Sequence, residues 1–475
     1  MAASPLPFDE ARPSLRSAMG LRDVILLFVT AGTNLQWVAI AAAAGPIAVS
    51  MWGVSFVSMA MPLAWCVIEM SSRYPEEGGL YVWSKHAFGD FAGFMTGWTY
   101  WSSNLPYFPG LLYFAAANAL YIGGEGWLGL SQNPGYFIVT ALLGLTLGTV
   151  LNIAGLDVAK WLTNVGAVAR WLATLLLLVM GAVAWSRFGS ATQWSLPSLA
   201  PSFALKDLIF WSTLVFAWTG FEAASFMGDE IEDARRNVSR GILFSAPLII
   251  AIYLLGTVAV LITVPVGELT GLQGIMQAVG AGARRIDAPW IAPVMAALIA
   301  LTALGSLCAW LGAVARIPFV AGIDRFLPEG FGRIHPRWGS PWVALLAQSF
   351  ITVIFVFMGQ AGTSVKGAYN ALVSMTVVAT MIPFLFVFAS ALRIQAEPRG
   401  PTAIRLPGGR PVAAFFALLG FATTLASVVL ACFPAADEPR KLLAVAKILG
   451  MSGVMVGAGV VVYVLGRRGA GRVAS

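Results

Sequence analysis

The stretch FAWTGFEAAS, Phe216 to Ser225, lies inside an apolar run and sets a glycine and a carboxylate two residues apart. Glycine weakens a helix, and a carboxylate at the centre of a membrane helix costs roughly 2.5–3.5 kcal/mol on an insertion scale. In hydrocarbon an unmet backbone group costs several kcal/mol, so a broken helix survives only where it lines protein or a cavity. The stretch therefore predicts a helix interrupted near Gly220, with Glu222 turned to the interior of a bundle.

The chain around it has the composition such a bundle needs. Its 475 residues are 58% hydrophobic and 11% charged, with mean hydropathy +0.80, which excludes a soluble globular protein of this length. Twelve apolar segments follow one another at 23–43, 47–70, 91–122, 136–153, 159–186, 208–227, 240–264, 291–315, 342–358, 365–392, 411–432 and 441–465, and are numbered 1 to 12 below. The loops between them leave no room for a separate domain, so the expected fold class is an all-α polytopic membrane protein of about 12 transmembrane helices.

The amino terminus, MAASPLPFDEARPSLRSAMG, has no apolar core followed by a cleavage site and reads as a tail, not a signal peptide. With that end inside, 20 of the 29 Lys and Arg residues fall on the inner side and 8 on the outer, leaving Arg170 within segment 5. That bias satisfies the positive-inside rule and places both termini in the cytosol, in a cytoplasmic (inner) membrane. The net charge of +7 is then a topology signal that calls for no nucleic acid. Cys66, Cys308 and Cys432 lie in apolar segments, and the two histidines, His86 and His335, lie in loops. Neither disulfides, a metal site nor another cofactor is expected. No nucleophile with a histidine base and no Walker lysine loop is present, so no enzyme is expected.

Segment 1 carries a counterpart to the opening stretch. It reads LLFVTAGTNLQWVAIAAAAGP, gathering Thr30, Gly32, Thr33, Asn34 and Gln36 at mid-span, 188 residues before Gly220. One reading is close helix packing at small residues. The other is a pair of discontinuous helices cradling a small polar solute. Glu222 is either a protonated structural hydrogen-bonder or a functional acid. Arg170 cannot lose its proton, so it is either a fixed counter-charge or a side chain snorkelling to the inner interface. GWTYWSSNLPYFPGLLYF in segment 3 places Trp98, Tyr100, Trp101, Tyr107 and Phe108 near Ser103 and Asn104, and Trp310 lies in segment 8. Such aromatics serve packing, an interfacial belt or a binding wall. Pro106 and Pro109 predict a kink in segment 3. Glu69 predicts either a gate salt bridge with Lys85 or Arg316 or a solvated helix end.

Three longer stretches resemble the amino acid, polyamine and organocation transporter superfamily, in its amino acid permease and antiporter branches. EMSSRYPEEGGLYVWSKHAFGDFAGFMTGWTYW resembles the family's segment 2 to 3 region, GFEAASFMGDEIEDARRNVSRGI its segment 6 signature, and LGSLCAWLGAVARIPFVAGIDRFLPEGFGRIHPRWGSPWVALLAQ its segment 8 to 9 region. The match runs in order from about Leu21 to Arg393.

The resemblance implies a LeuT-like fold with alternating access and no catalytic residues. A cytosolic tail would occupy 1–22. A core at 23–393 would hold two inverted five-helix repeats, about 23–186 and 208–393. Two further helices would lie at 411–465 and a cytosolic tail at 466–475. It implies that freed N–H groups of segment 1 hold a substrate carboxylate and freed C=O groups of segment 6 its ammonium. The site so implied comprises Ala31, Gly32, Thr33, Asn34, Tyr100, Trp101, Phe216, Ala217, Trp218, Thr219, Gly220 and Trp310, with Phe216, Trp218 and Trp310 as aromatic lids. Asn34 stands where the family has a glycine and would need to tolerate a left-handed backbone. Arg170 stands where proton-coupled members have a lysine, which implies exchange without proton movement or coupling shifted to Glu222. The partners implied are an amino acid or related amine and the lipid bilayer, for a monomer or homodimer. EEGG at Glu76 to Gly79 resembles the glutamate and aminobutyrate exchanging branch. A polyamine exchanger and a non-transporting amino acid sensor are also compatible with the resemblance.

Overall fold

A computed structural model describes residues 18–266, 274–324, 326–360, 365–398, 404, 407–431, 450 and 453–467. Among them every regular element is helical, apart from one parallel bridge between Met19 and Ile231. Among the described residues seven helices are long and apolar enough to cross a membrane: Leu21–Ala43 (counted across its interruption), Ile47–Arg73, Pro134–Ile153, Leu156–Phe188, Ala234–Thr263, Ile291–Gly322 and Gly409–Leu430. Shorter apolar helices at Trp342–Met358, Ala379–Ile394 and Gly453–Arg467, the aromatic-rich helix Asp90–Ala119 and the interrupted segment 6 complete the order of segments. The chain is a multi-pass membrane protein.

Several boundaries differ from expectation. Segment 8 does not stop near Ala315 but continues to Ile323, because Arg316 is neutralised inside the protein and need not leave the helix. Leu80–Phe88 and Gly274–Arg285 form helices outside the twelve segments; both are too short and too polar on one face to show as apolar runs. The helix Asp90–Ala119 runs through Pro106 and Pro109 without a break. In segment 2 a π turn at Phe56–Ala60 precedes Pro62, where a proline ring disturbs regular hydrogen bonding. The tail at 1–17, the expected start of segment 12 at 441 and the tail at 468–475 lie outside the described residues.

Segment 8 lies along segments 3 and 5, and segment 10 along segments 3 and 11. Segments 5 and 8 cross at Gly166 and Gly305, where a Cβ built on Gly166 would stand 2.7 Å from the Gly305 Cα. Backbones approach this closely only where side chains are absent.

The side of the bundle holding the amino terminus is closed by polar contacts. Backbone N–H groups of Ala18 and Met19 donate to the Glu230 carbonyl at 2.9 and 3.1 Å, and Glu232 N–H donates to the Met19 carbonyl at 3.0 Å. Lys160 donates to the Ala18 carbonyl at 2.5 Å. Glu69 takes neither expected partner: it pairs with Arg73 at 2.7 Å, one helical turn on, and accepts from Gln395 at 2.8 Å. Lys85 pairs instead with Asp324 at 2.6 Å, and Arg316 with Glu230. The i,i+4 spacing brings Arg73 to Glu69 without any tertiary requirement.

Candidate functional site

Both predicted breaks are present. In segment 1 a first helix ends at Gly32, Thr33 and Asn34 are extended, and a second helix starts at Leu35. Asn34 has φ −145° and ψ 124°, so it is not left-handed; its side chain caps the second helix, its Oδ1 accepting the Gln36 N–H at 3.0 Å. Asparagine is a strong N-cap, which is a local reason for its presence where a glycine was expected. In segment 6 an α-helix ends at Ala217, residues 218–222 form turns, and a 3-10 helix covers Ala223–Glu230.

The two breaks touch. Gly220 has φ +134°, and a Cβ built on it would lie 2.6 Å from the Gly32 Cα and 2.9 Å from the Gly32 nitrogen. The opening glycine thus serves a left-handed turn and a backbone contact at once.

Glu222 is fully buried and secures that turn. Its Oε2 accepts the Gly220 N–H at 2.9 Å, and its Oε1 accepts the Tyr100 hydroxyl at 2.6 Å. Arg170 is 1% exposed, so it does not snorkel. Its Nη1 donates to Thr33 Oγ1 at 2.9 Å and its Nη2 to Ser306 Oγ at 2.7 Å, while Ser306 donates onward to the Thr30 carbonyl at 2.9 Å. Nε has no hydrogen-bond partner, and no carboxylate pairs with Arg170 among the described residues. Arg170 and Glu222 therefore sit at separate breaks, each behind a hydroxyl, and do not pair with one another.

Tyr253, in segment 7, closes what the breaks leave open. Its hydroxyl accepts the Asn34 N–H at 3.2 Å and lies 3.1 Å from the carbonyls of both Gly32 and Ala217, which share its one proton. Stacking on Trp52, centroid to centroid 4.3 Å at 7°, holds the ring. Groups expected to be free for a solute are thus engaged by a tyrosine.

A cavity of about 440 Å³, the space at its mouth included, lies against both breaks. Its lining includes Ala31, Thr33, Asn34, Tyr100, Phe216, Ala217, Thr219 and Trp310 from the predicted set, together with Trp37, Asn104, Tyr107, Tyr253, Thr376 and Thr380. Tyr100 and Trp310 lie 6.4 Å apart by ring centroid, and Trp37 meets Phe216 edge-on at 5.3 Å. A second cavity shares Trp37, Tyr107, Phe216 and Thr376 and adds Gln36, Pro106, Gly110, Leu111 and Leu372. Gln36 there is hydrogen-bonded to the Tyr369 hydroxyl.

Four predicted residues lie off this wall. Gly32 and Gly220 form the backbone contact behind it. Trp218 turns to segment 2, donating to Ser55 Oγ at 2.8 Å and packing edge-on against Trp52 and Tyr253, so it is a buried wedge and no lid. Residues two apart along a helix point about 200° from each other, so Trp218 leaves the face that Phe216 takes. Trp101 lines a separate cavity with Tyr81, Phe94 and Trp98, because its neighbour Tyr100 takes the face toward Glu222. Asn104 and Tyr107 are visible in the aromatic run of segment 3, and Trp37 directly follows Gln36. Tyr253, Thr376 and Thr380 carry no local signal.

Comparison with known proteins gives a consistent picture. The amino acid permease family profile matches residues 17–465. An uncharacterized transporter of Legionella pneumophila is 27% identical over 430 residues, covering 90% of this chain and 92% of its own. The probable agmatine/putrescine antiporter AguD of Lactococcus lactis is 23% identical, with 81% of each chain covered. The putrescine transporter PotE of Escherichia coli is 26% identical over 79% of this chain and 82% of its own.

Proposed function

This chain belongs to the amino acid permease family, and we propose that it carries neutral α-amino acids across the cytoplasmic membrane by alternating access, as a secondary transporter with both termini in the cytosol. The observation that carries this reading is the cavity wall, in which none of the lining side chains among the described residues is charged. Arg170 lies behind Thr33 on one side and Glu222 behind Tyr100 on the other. A zwitterion matches that field with its own two charges. The carboxylate would face Thr33 and the start of the second helix of segment 1, whose dipole end is positive. The ammonium would face Tyr100 and the end of the first helix of segment 6, whose dipole end is negative. The aromatic wall of Trp37, Tyr107, Phe216 and Trp310 would take an apolar side chain.

A polyamine exchanger is the second reading, favoured by what two relatives are named for. A diamine needs a counter-charge at each end, since a buried ammonium without one is costly, and the wall supplies none directly. Residues 23–186 and 208–393 would be the two repeats, meeting at Gly32 and Gly220.

Exchange, not proton-driven uptake, follows from Arg170, a permanent cation where a titrating amine would be needed. In proteoliposomes, vesicles preloaded with a neutral amino acid are expected to take up the labelled one at least about tenfold faster than empty vesicles, and an imposed pH gradient to change the rate little, because an equilibrium is driven only by what binds differentially. Uptake driven by the pH gradient would contradict this reading, with its loss in Glu222→Gln moving the coupling to Glu222, and so would exchange restricted to polyamines.

A further inference from the structure

The EEGG run lies away from the cavity and joins a different cluster. Arg316, 1% exposed in segment 8, donates Nε to Glu230 Oε2 at 2.7 Å and Nη2 to Glu230 Oε1 at 2.8 Å, with Nη1 on the Gly312 carbonyl at 2.5 Å. Glu77, in the loop after segment 2, places Oε1 3.7 Å from the same Nε, and its Oε2 accepts the Asp229 N–H at 3.1 Å. Glu77 is 5% and Glu230 2% exposed. Glu77 Oε1 has no hydrogen-bond partner among the described residues.

One guanidinium thus faces two buried carboxylates. The charged groups acting on Glu77 are Glu230 and Asp229 from the end of segment 6 and Arg316 from segment 8, and Arg316 is already engaged by Glu230. A buried charge without a counter-charge is relieved by protonation. Glu230 is held by two charge-assisted hydrogen bonds from Arg316. Glu77 has the bare oxygen; the Asp229 N–H on its other oxygen favours the charged form, a single hydrogen bond set against nearly complete burial. Burial pushes the Glu77 carboxyl well above the usual carboxylate range; Glu230 adds to the rise and Arg316 opposes it.

We propose that Glu77, Glu230 and Arg316 form a one-proton site within the closure on the amino-terminal side, loaded on Glu77 while the end of segment 6 is docked and emptied when it undocks. The carboxylate takes its proton from water on that side and returns it to the same side, so no proton crosses the membrane. Acid on that side therefore favours closure and alkali favours opening, independently of which solute is carried.

The test is thermal unfolding of the purified full-length protein in detergent across about pH 5 to 8. A group whose folded value is raised stabilises the fold below that value, and the contribution is lost as pH rises through it. Relative to Glu77→Gln, the wild type is expected to lose folded-to-unfolded ratio by up to about tenfold per pH unit in that window. Glu230→Gln, which leaves Arg316 to Glu77 alone, is expected to remove the same pH dependence. A wild-type slope retained in either folded variant would overturn the proposal. So would failure of Glu77→Gln to fold, because the proposal holds that this side chain is already neutral in the closed state.

Discussion

Gly220→Ala is expected to remove solute binding and to lower stability by roughly 2–6 kcal/mol, the sum of a strained backbone and an overpacked contact at about 1–3 kcal/mol each. The methyl would stand 2.6 Å from the Gly32 Cα at φ +134°, and both neighbours are backbone that cannot rotate away. Relief requires segment 6 to move off segment 1, which also pulls Glu222 from the Tyr100 hydroxyl and the Ala217 carbonyl from Tyr253. Gly53→Ala is the control: its added methyl meets nothing within 4 Å, and alanine is favoured over glycine inside a helix by roughly 0.5–1 kcal/mol. A melting temperature for Gly220→Ala equal to that of Gly53→Ala would show that the breaks do not depend on their contact.

Arg170→Met is expected to do the opposite, sparing the fold and losing the ligand. Its partners Thr33 and Ser306 keep acceptors of their own in the Val29 and Thr30 carbonyls, at 2.5 and 2.9 Å. Arg170 has no carboxylate partner among the described residues, so its removal leaves no opposite buried charge uncompensated, which is what makes breaking a buried pair costly. The cost falls on a carboxylate placed at Thr33, which loses the field of a cation; at about 1.5–3 kcal/mol for hydrogen bonds to charged groups, affinity drops roughly ten- to hundredfold. Arg170→Lys supplies an amine that can lose its proton when buried, so it is expected to make binding fall as pH rises. Equal affinities in wild type and Arg170→Met would place the carboxylate elsewhere.

What the sequence reveals of this arrangement depends on whether the signal is local. Gly220 with Glu222, and Gly32 with its polar neighbours, stand out because hydrocarbon makes each expensive, and the structure brings both breaks together. Tyr100 and Trp310, singled out by resemblance, lie on the cavity wall, but Trp101 and Trp218 do not. Adjacent helical residues differ by about 100° in direction, so a run of aromatics does not say which one faces the cavity. Tyr253 is illegible for another reason. Its neighbours in AIYLLG are ordinary packing residues, and its role exists only where segment 7 crosses both breaks. Glu69 shows the converse: distant lysine and arginine residues look like its partners in the sequence, while Arg73, one turn away, is the nearer answer.

Binding of a neutral α-amino acid at the paired break of Gly32 and Gly220 is tested most directly by thermal stabilisation of the purified protein, with a panel of neutral, acidic and basic amino acids and of polyamines. A bound ligand at a hundred times its Kd stabilises by about 2.7 kcal/mol. At least one neutral amino acid is expected to raise the melting temperature of the wild type and of Gly53→Ala but not of Gly220→Ala. Stabilisation by putrescine or agmatine with none by any neutral amino acid, or a shift unchanged in Gly220→Ala, would contradict it.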